Sequence, residues 1–261
     1  MIALVGCRES PREPARSDSE ARMTSQPRYK SEVDEGLGAS VAILLDNSGS
    51  MEDRPRRGGD DRPKYVVARE AIGAMLAATD SFVAKHPDFP INVGLYRFAT
   101  HVERAVPIGR FDARALRDAL EATTKPVGGT AIGDAMDEAR ADLYRAGTFR
   151  KYILVVTDGE NTEGRSPRRV AQEIANRSEG AVRMYFVAFD VDARRFDFVK
   201  DVRGEVVGAS DGPALRASLD TIYRGKILAE ALDVGETLPD SSRVVPQSGN
   251  PPIKPPQKRK P

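Results

Sequence analysis

The sequence predicts an α/β domain with a doubly wound, mostly parallel central sheet, one antiparallel edge strand and helices on both faces. Two short runs, SVAILL at residues 40–45 and YILVV at 152–156, are apolar almost throughout, which is typical of strands that are covered on both faces. Amphipathic stretches with helical spacing separate such runs along the chain. This alternation favours parallel βαβ units over a sandwich or a helical bundle.

The first half of the domain contains the predicted edge of the sheet. The strand at 40–45 is followed, after a polar stretch, by a helix at 64–85 whose apolar residues recur every three or four positions. Strands at 92–98 and 102–108 come next, joined only by Ala99-Thr100-His101. Because so short a link favours an antiparallel hairpin, we expect the second of these strands at an edge.

The second half continues the alternation of strands and helices. The strand at 152–156 follows two helices, and a later helix begins at Pro167, where a missing N–H costs nothing. The elements predicted around this strand are helices at 113–122, 132–146 and 167–176, a strand at 182–189, a short helix at 193–202, a minor strand at 205–207 and a closing helix at 212–231.

Composition divides the chain into one domain and two appendages. We expect the domain at residues 39–233. Residues 1–38 contain an apolar start followed by a polar stretch that is poor in aromatic residues, and such a stretch is typical of a flexible tether. Residues 234–261 form a proline-rich basic segment, a composition that favours extended conformations without a core.

Charge and cysteine content narrow the classes of function. Forty basic and 39 acidic residues give a formal charge of +1, so no strong field favours nucleic acid as a partner. One cysteine and two histidines are too few for cysteine-rich zinc sites and for most catalytic ones. A metal site in this chain would therefore use oxygen ligands. The sequence also contains no apolar run near the roughly 18 residues that span a bilayer.

Polar side chains follow the predicted strands at one edge of the sheet. Asp46, Ser48 and Ser50 come directly after the first strand, Asp158 follows the fourth, and Thr130 precedes a helix on the same rim. In a doubly wound sheet, ligands bind outside the carboxyl ends of the strands, where the strand order reverses. The sequence thus predicts that two carboxylates and three hydroxyls converge.

Oxygen ligands of this kind suit Mg²⁺, and Mn²⁺ or Ca²⁺ could substitute. Two carboxylates would balance the charge of the ion, while hydroxyls add none. The metal would then remain electrophilic toward one further carboxylate. Gly49 and the pair Gly128-Gly129 are expected to allow tight turns and close approach of the backbone to the ion.

The combined pattern resembles the metal-ion-dependent adhesion site of von Willebrand factor A domains, which have a Rossmann-like fold. The resemblance is carried by Asp46-x-Ser48-x-Ser50, by Gly-Gly-Thr130 and by Thr157-Asp158-Gly159, and it extends from about residue 40 to 231. It implies direct ligation by Ser48 and Ser50, contacts of Asp46 and Asp158 mostly through water, and either mode for Thr130. It also implies a protein partner that supplies an acidic side chain to the metal.

One stretch departs from the family pattern. Residues 51–63, MEDRPRRGGDDRP, separate the first motif from its helix. Its acidic residues are positioned in sequence to compete for the ion or to reshape the rim. These residues are Glu52, Asp53, Asp60 and Asp61.

The amino terminus suggests a location for the protein. Leu4-Val5-Gly6-Cys7 resembles the cleavage box of a bacterial lipoprotein signal, with Cys7 as the lipidated residue, although the basic start and long apolar region of a complete signal are missing. This resemblance implies a truncated signal and a lipid anchor in the cell envelope, and so a membrane tether through Cys7. The alternative is a chance apolar start on a cytoplasmic protein.

Three functions from different classes follow from these observations. The favoured one is a non-enzymatic, metal-dependent binding module for adhesion or assembly. The second is a cytoplasmic assembly factor that works beside an AAA+ ATPase, as some family members do. The third is a metal-dependent phosphohydrolase, which would need Asp46 as nucleophile and normally a second acid or base two residues later, where this chain has Ser48.

Overall fold

The computed structural model describes residues 36–230, which form a six-stranded sheet flanked by helices on both faces. The strand order is β3-β2-β1-β4-β5-β6, and only β3 is antiparallel to its neighbour. The predicted fold class is therefore confirmed. Cys7, most of the segment 1–38 and all of 234–261 lie outside the described residues, as does the membrane tether expected at Cys7.

The strands are longer than their apolar centres indicated. In β1, all residues from Gly38 to Asp46 are buried, because helices cover the strand on both faces. β4 extends the predicted run at both ends. The observed bounds are β1 Gly36–Asp46, β2 Ile91–Phe98, β3 Val102–Arg110, β4 Thr148–Thr157, β5 Val182–Phe189 and β6 Glu205–Ala209.

The helices begin where the sequence predicted. Asp112 caps one of them by accepting hydrogen bonds from Arg114 N and Ala115 N. The observed bounds are α1 Lys64–Lys85, α2 Ala113–Glu121, α3 Ile132–Arg145, α4 Pro167–Arg177 and α5 Gly212–Ile222, together with a 3₁₀ turn at Gly49–Glu52 and a 3₁₀ helix at Ala193–Val202. None of the helices within residues 36–230 combines the length and apolar character that a membrane crossing requires.

Two apolar layers hold the sheet between its helices. Alternate residues of β1, such as Ile43 and Leu45, pack with α1, α2 and α5, whereas Ala42 and Leu44 pack with α3 and α4. Because β1 is central, its side chains fix the sheet relative to both layers. The carboxyl ends of β1 and β4, where the strand order reverses, are thereby held side by side.

Two boundaries differ from the sequence expectation. β1 begins at Gly36, within the segment 1–38 that we assigned to the start and tether, because Gly36 N donates to the carbonyl of Gly147 and Gly36 pairs with Thr148. The closing helix is not one regular α-helix, because after Ile222 it continues as a π turn at Tyr223–Leu228. The spacing of hydrophobic residues predicts neither the start of β1 nor the π turn, because both are defined by backbone hydrogen bonds.

Candidate functional site

The loop after β1 places two hydroxyls beside a buried carboxylate. Asp46 is fully buried, and its Oδ1 accepts a hydrogen bond from Ser48 N at 2.8 Å. Its Oδ2 accepts a hydrogen bond from Thr157 Oγ1 at 2.5 Å. Both carboxylate oxygens are therefore engaged by the protein. The 3₁₀ turn that follows brings Ser48 Oγ to within 3.3 Å of Ser50 Oγ.

The loop after β4 meets this turn directly. Ser50 Oγ donates a hydrogen bond of 2.8 Å to Asp158 Oδ1. Thr157 Oγ1 also accepts a hydrogen bond from Gly159 N, which shapes the turn after the strand. Thr157 is thus a positioning residue that connects the ends of the two strands. We did not assign it to the site from the sequence, although it stands between a buried strand and Asp158.

Thr130 completes the group from a third loop. Its Oγ1 and Ser50 Oγ lie 4.0 and 3.7 Å from the point where a Cβ on Gly159 would stand, so both hydroxyls face the same small space. Thr130 N donates to Thr162 Oγ1 at 2.9 Å, and Thr162 N donates to Thr130 O at the same distance. Thr162 is a second positioning residue that the sequence did not reveal.

Glycine is required in the third loop at Gly128, as expected. Gly128 has a φ of 79°, and a Cβ there would lie 2.6 Å from Thr100 Oγ1. Its carbonyl accepts a hydrogen bond from Gly49 N at 3.1 Å. Among the described residues, Gly49 is not one of the glycines with positive φ. A Cβ at Gly49 would lie 3.4 Å from the carbonyl oxygen of Gly128, which is an ordinary contact, so the first loop does not require glycine at this position.

The structure therefore brings together all five residues that the sequence singled out. These residues are Asp46, Ser48, Ser50, Thr130 and Asp158. They come from three loops, and the first and last of them, Asp46 and Asp158, are 112 positions apart in the sequence. All but Ser50 are buried or nearly so.

Electrostatics at this point favour the binding of a cation. Burial raises the pKa of Asp46 to about 6, and repulsion from the nearby Asp158 adds to the effect. Hydrogen bonds from Ser48 and Thr157 lower the pKa, but they do not cancel the loss of hydration. Two carboxylates close together in a poorly hydrated place repel each other, and a nearby positive charge reduces this repulsion.

The donor set fits a hard divalent ion. Octahedral Mg²⁺ holds its ligands at about 2.1 Å, so neighbouring ligand oxygens lie about 3 Å apart. The separations from Ser50 Oγ, 3.3 Å to Ser48 Oγ and 2.8 Å to Asp158 Oδ1, are close to this value. Asn47 Oδ1, in the same loop, is buried without a hydrogen-bond partner. Residues 36–230 contain no group of three or more His, Cys, Asp or Glu that could hold a metal, so hydroxyls must supply part of any such site.

One cation of the protein already lies at the site. Lys64, the first residue of α1, is buried, and its Nζ lies 2.7 Å from Asp158 Oδ2 and 3.3 Å from the carbonyl oxygen of Ser50. The same Nζ is 3.7 Å from Asp190 Oδ2, at the end of β5. The expectation that two carboxylates balance the charge of the ion did not include this lysine.

The sequence model of the von Willebrand factor type A domain matches residues 40–205, more than half of the chain. The chain belongs to this family. VWA domains are in general modules for protein interaction and adhesion and not enzymes, and this domain has their fold.

Solved structures support the fold of this VWA domain at low sequence identity. The BatB protein from Bacteroides thetaiotaomicron is 20% identical with a TM-score of 0.59, covering 75% of this chain and 100% of that one. The PilB minor pilin from Streptococcus sanguinis is 15% identical with a TM-score of 0.62, covering 77% and 64%. The VWA domain of SpRpn10 is 16% identical with a TM-score of 0.54, covering 70% and 94%.

A similar sequence occurs in Bacillus subtilis (strain 168). The uncharacterized protein YwmC is 27% identical over 152 residues, which cover 56% of this chain and 65% of that protein. The matched part thus spans less than two thirds of YwmC.

The inserted stretch 51–63 packs on the rim of this VWA domain. Glu52 pairs with Lys125 at 2.6 Å, Asp60 pairs with Arg62, which holds the pKa of Asp60 at about 2, and Asp61 pairs with Arg54. These three acidic residues have basic partners of their own, so the structure does not direct them toward the candidate metal site.

Proposed function

We propose that this VWA domain binds one divalent cation, preferentially Mg²⁺ with Mn²⁺ or Ca²⁺ as substitutes, and uses it to capture a carboxylate of a protein partner. Ser48, Ser50 and Thr130 would supply neutral oxygens, and Asp46 and Asp158 would act largely through water. The observation that carries the proposal is the position of Ser50 Oγ, which lies within 3.3 Å of Ser48 Oγ and 2.8 Å of Asp158 Oδ1.

The hydrogen bonds of Asp46 support an indirect role for this residue. Its two oxygens already accept from Ser48 N and Thr157 Oγ1, so the carboxylate orients the loop and supplies charge from behind the hydroxyls. The same burial disfavours the phosphohydrolase alternative, since a nucleophilic aspartate must reach its substrate and Asp46 is 0% exposed. Bound metal would supply Lewis acidity toward the incoming carboxylate, and the chain itself fixes the ligands.

The rim offers an apolar contact next to the candidate metal. Val127 is 65% exposed, and its N–H donates to the carbonyl of Asn47 at 3.2 Å, which fixes it beside the first loop. A partner whose acidic side chain reaches the metal would also cover this residue. Covering this exposed valine would remove apolar surface from water and so favour the complex.

Metal binding is tested by calorimetric titration of Mg²⁺ and Mn²⁺ into the full chain. Wild type is expected to bind one ion. Ser50→Ala should bind at least tenfold more weakly, because it loses a hydroxyl without leaving a buried charge unpaired. Ser81→Ala is the matched control, since Ser81 is an exposed serine on α1 that bonds only to the carbonyl of Ala77. Equal binding by wild type and Ser50→Ala would contradict the proposal.

Partner capture is tested with immobilised peptides that differ only in one Glu or Gln. Wild type should retain Glu peptides in Mg²⁺ and release them in EDTA. Val127→Glu should lower retention severalfold without changing Mg²⁺ affinity. Phe149→Glu is its control, because Phe149 is 66% exposed near the amino end of β4, whereas the candidate site lies beyond the carboxyl end of this strand. Retention that is indifferent to the metal or to the Glu would count against carboxylate capture.

A further inference from the structure

The position of Lys64 is unusual for a lysine. Its side chain is 5% exposed, and it stands in the first turn of α1, where the helix dipole places partial positive charge. A buried ammonium at a helix amino terminus is costly unless carboxylates compensate it. Here Asp158 at 2.7 Å and Asp190 at 3.7 Å provide that compensation.

The inserted stretch fixes this arrangement from both sides. Lys64 N donates to the carbonyl of Asp53 at 2.9 Å, which joins the end of the stretch to its beginning. Arg56 N donates to Asp190 Oδ2 at 3.1 Å, and Arg56 Nη2 donates to the carbonyl of Asp190 at 3.0 Å. Arg56 Nε lies 3.3 Å from Asp190 Oδ2, so Asp190 has two basic partners, Arg56 and Lys64, whereas Asp158 depends mainly on Lys64.

The two oxygens of Asp158 are divided between different partners. Oδ1 accepts from Ser50 Oγ on the side of the candidate metal, and Oδ2 accepts from Lys64 Nζ on the side of the inserted stretch. The lysine thus orients the carboxylate and neutralises it while leaving Oδ1 toward the hydroxyls. A divalent ion at the hydroxyls would lie within several ångströms of this positive charge.

We propose that Lys64 is a built-in counter-cation of the site, which holds Asp158 in place in the absence of metal and weakens the binding of a divalent ion. The effect on metal binding rests on the proposed function, whereas the ion pair between Lys64 and Asp158 is present in the structure without a metal. A permanent positive charge at this distance repels the incoming ion by Coulomb's law, and low hydration reduces the screening. The domain would then remain folded without metal and bind it with moderate affinity.

Titration of Mg²⁺ into the Lys64→Gln variant tests whether Lys64 weakens the binding of the ion. Glutamine can still donate an N–H toward Asp158 but has no charge, so we expect Mg²⁺ binding about tenfold tighter than wild type or better. A purely structural role would not increase affinity. Lys64→Met removes both charge and donor and measures the share due to positioning. Lys85→Met is the control, because Lys85 is exposed in the last turn of the same helix.

A second measurement needs no metal. In EDTA, introducing Lys64→Met into the wild-type chain should lower its free energy of unfolding. Introducing the same change into the Asp158→Asn variant should raise the free energy of unfolding, because the buried ammonium has lost its main partner there. Additive effects in this double-mutant cycle would contradict the proposal that Lys64 acts as the counter-cation of Asp158. Equal or weaker Mg²⁺ binding by Lys64→Gln, with wild type binding normally, would overturn the inference alone. Absence of Mg²⁺ binding in wild type and all variants would overturn the proposed function and the competition together.

Discussion

Replacing Asp46 by asparagine should change how the stability of the metal-free domain depends on pH. Burial, together with repulsion from Asp158, raises the pKa of Asp46 in the folded state from 3.8 to about 6. In the unfolded chain the carboxyl regains its ordinary pKa. Because the folded state holds the proton more tightly, stability is greatest below about pH 4 and is lost as the pH rises through about 6.

The size of the effect follows from the shift in pKa. Two pKa units correspond to about 3 kcal/mol over the whole range, and roughly half of this falls between pH 5 and 7.5. The amide introduced by Asp46→Asn would not ionise, yet its oxygen could still accept from Ser48 N, and the hydroxyl of Thr157 could rotate to accept from its nitrogen. Relative to wild type, Asp46→Asn should therefore gain on the order of 1 kcal/mol between pH 5 and pH 7.5.

The assay is urea unfolding in EDTA at pH 5, 6 and 7.5, followed by far-ultraviolet circular dichroism, since the chain has no tryptophan. Asp88→Asn, a change at an exposed carboxylate, is the control. At pH 7.5, Mg²⁺ should then stabilise wild type and leave Asp46→Asn unchanged. Parallel pH profiles for wild type and Asp46→Asn would refute the assignment of this titration to Asp46.

Three further outcomes are expected. Mg²⁺ affinity should fall about tenfold per pH unit below about pH 6, because a proton on Asp46 must leave before the ion binds; calorimetry in buffers of different ionisation enthalpy would show one proton released, and a flat profile from pH 7 to 5 would contradict this. Gly133→Ala should destabilise the domain by about 1–3 kcal/mol, since its Cβ would overlap the carbonyl oxygen of Arg165, and thermal melting should show a Tm several degrees lower. Tyr223→Phe should cost about 1–2 kcal/mol in urea unfolding, because the buried hydroxyl of Thr79 donates to Tyr223 Oη at 2.8 Å and would lose its acceptor; a change below about 0.5 kcal/mol would mean that this bond contributes little.

The elements with a strong hydrophobic period were predictable from the sequence. The bounds of α1 and β5 agree with the expectation at both ends, because α1 is long and β5 is apolar except for Arg183. β4 was predicted too short, since its first residues pair with β1 through backbone hydrogen bonds that no side-chain pattern records. The antiparallel position of β3 followed from the short link after β2, a constraint of chain geometry.

Lys64 shows what the linear pattern left out. A lysine directly after Pro63 at a helix start was a usable signal, because a positive charge there is unfavourable without a carboxylate nearby. No local pattern indicates which of the 39 acidic residues supplies that carboxylate. Thr162 carried no such signal, since its contact with Thr130 joins two loops that are 32 positions apart.

The order of apolar runs by itself determined the fold class, and the polar residues after two strands and before one helix gave the five candidate site residues, because strand periodicity and the ends of elements are local properties of the chain. The tertiary structure alone decided how those residues are held. Thr157 locks Asp46, Lys64 neutralises Asp158, and the inserted stretch pairs its own acidic residues on the rim. Each of these depends on distances between side chains far apart in sequence, and such distances are fixed only when the sheet and both helical layers pack together.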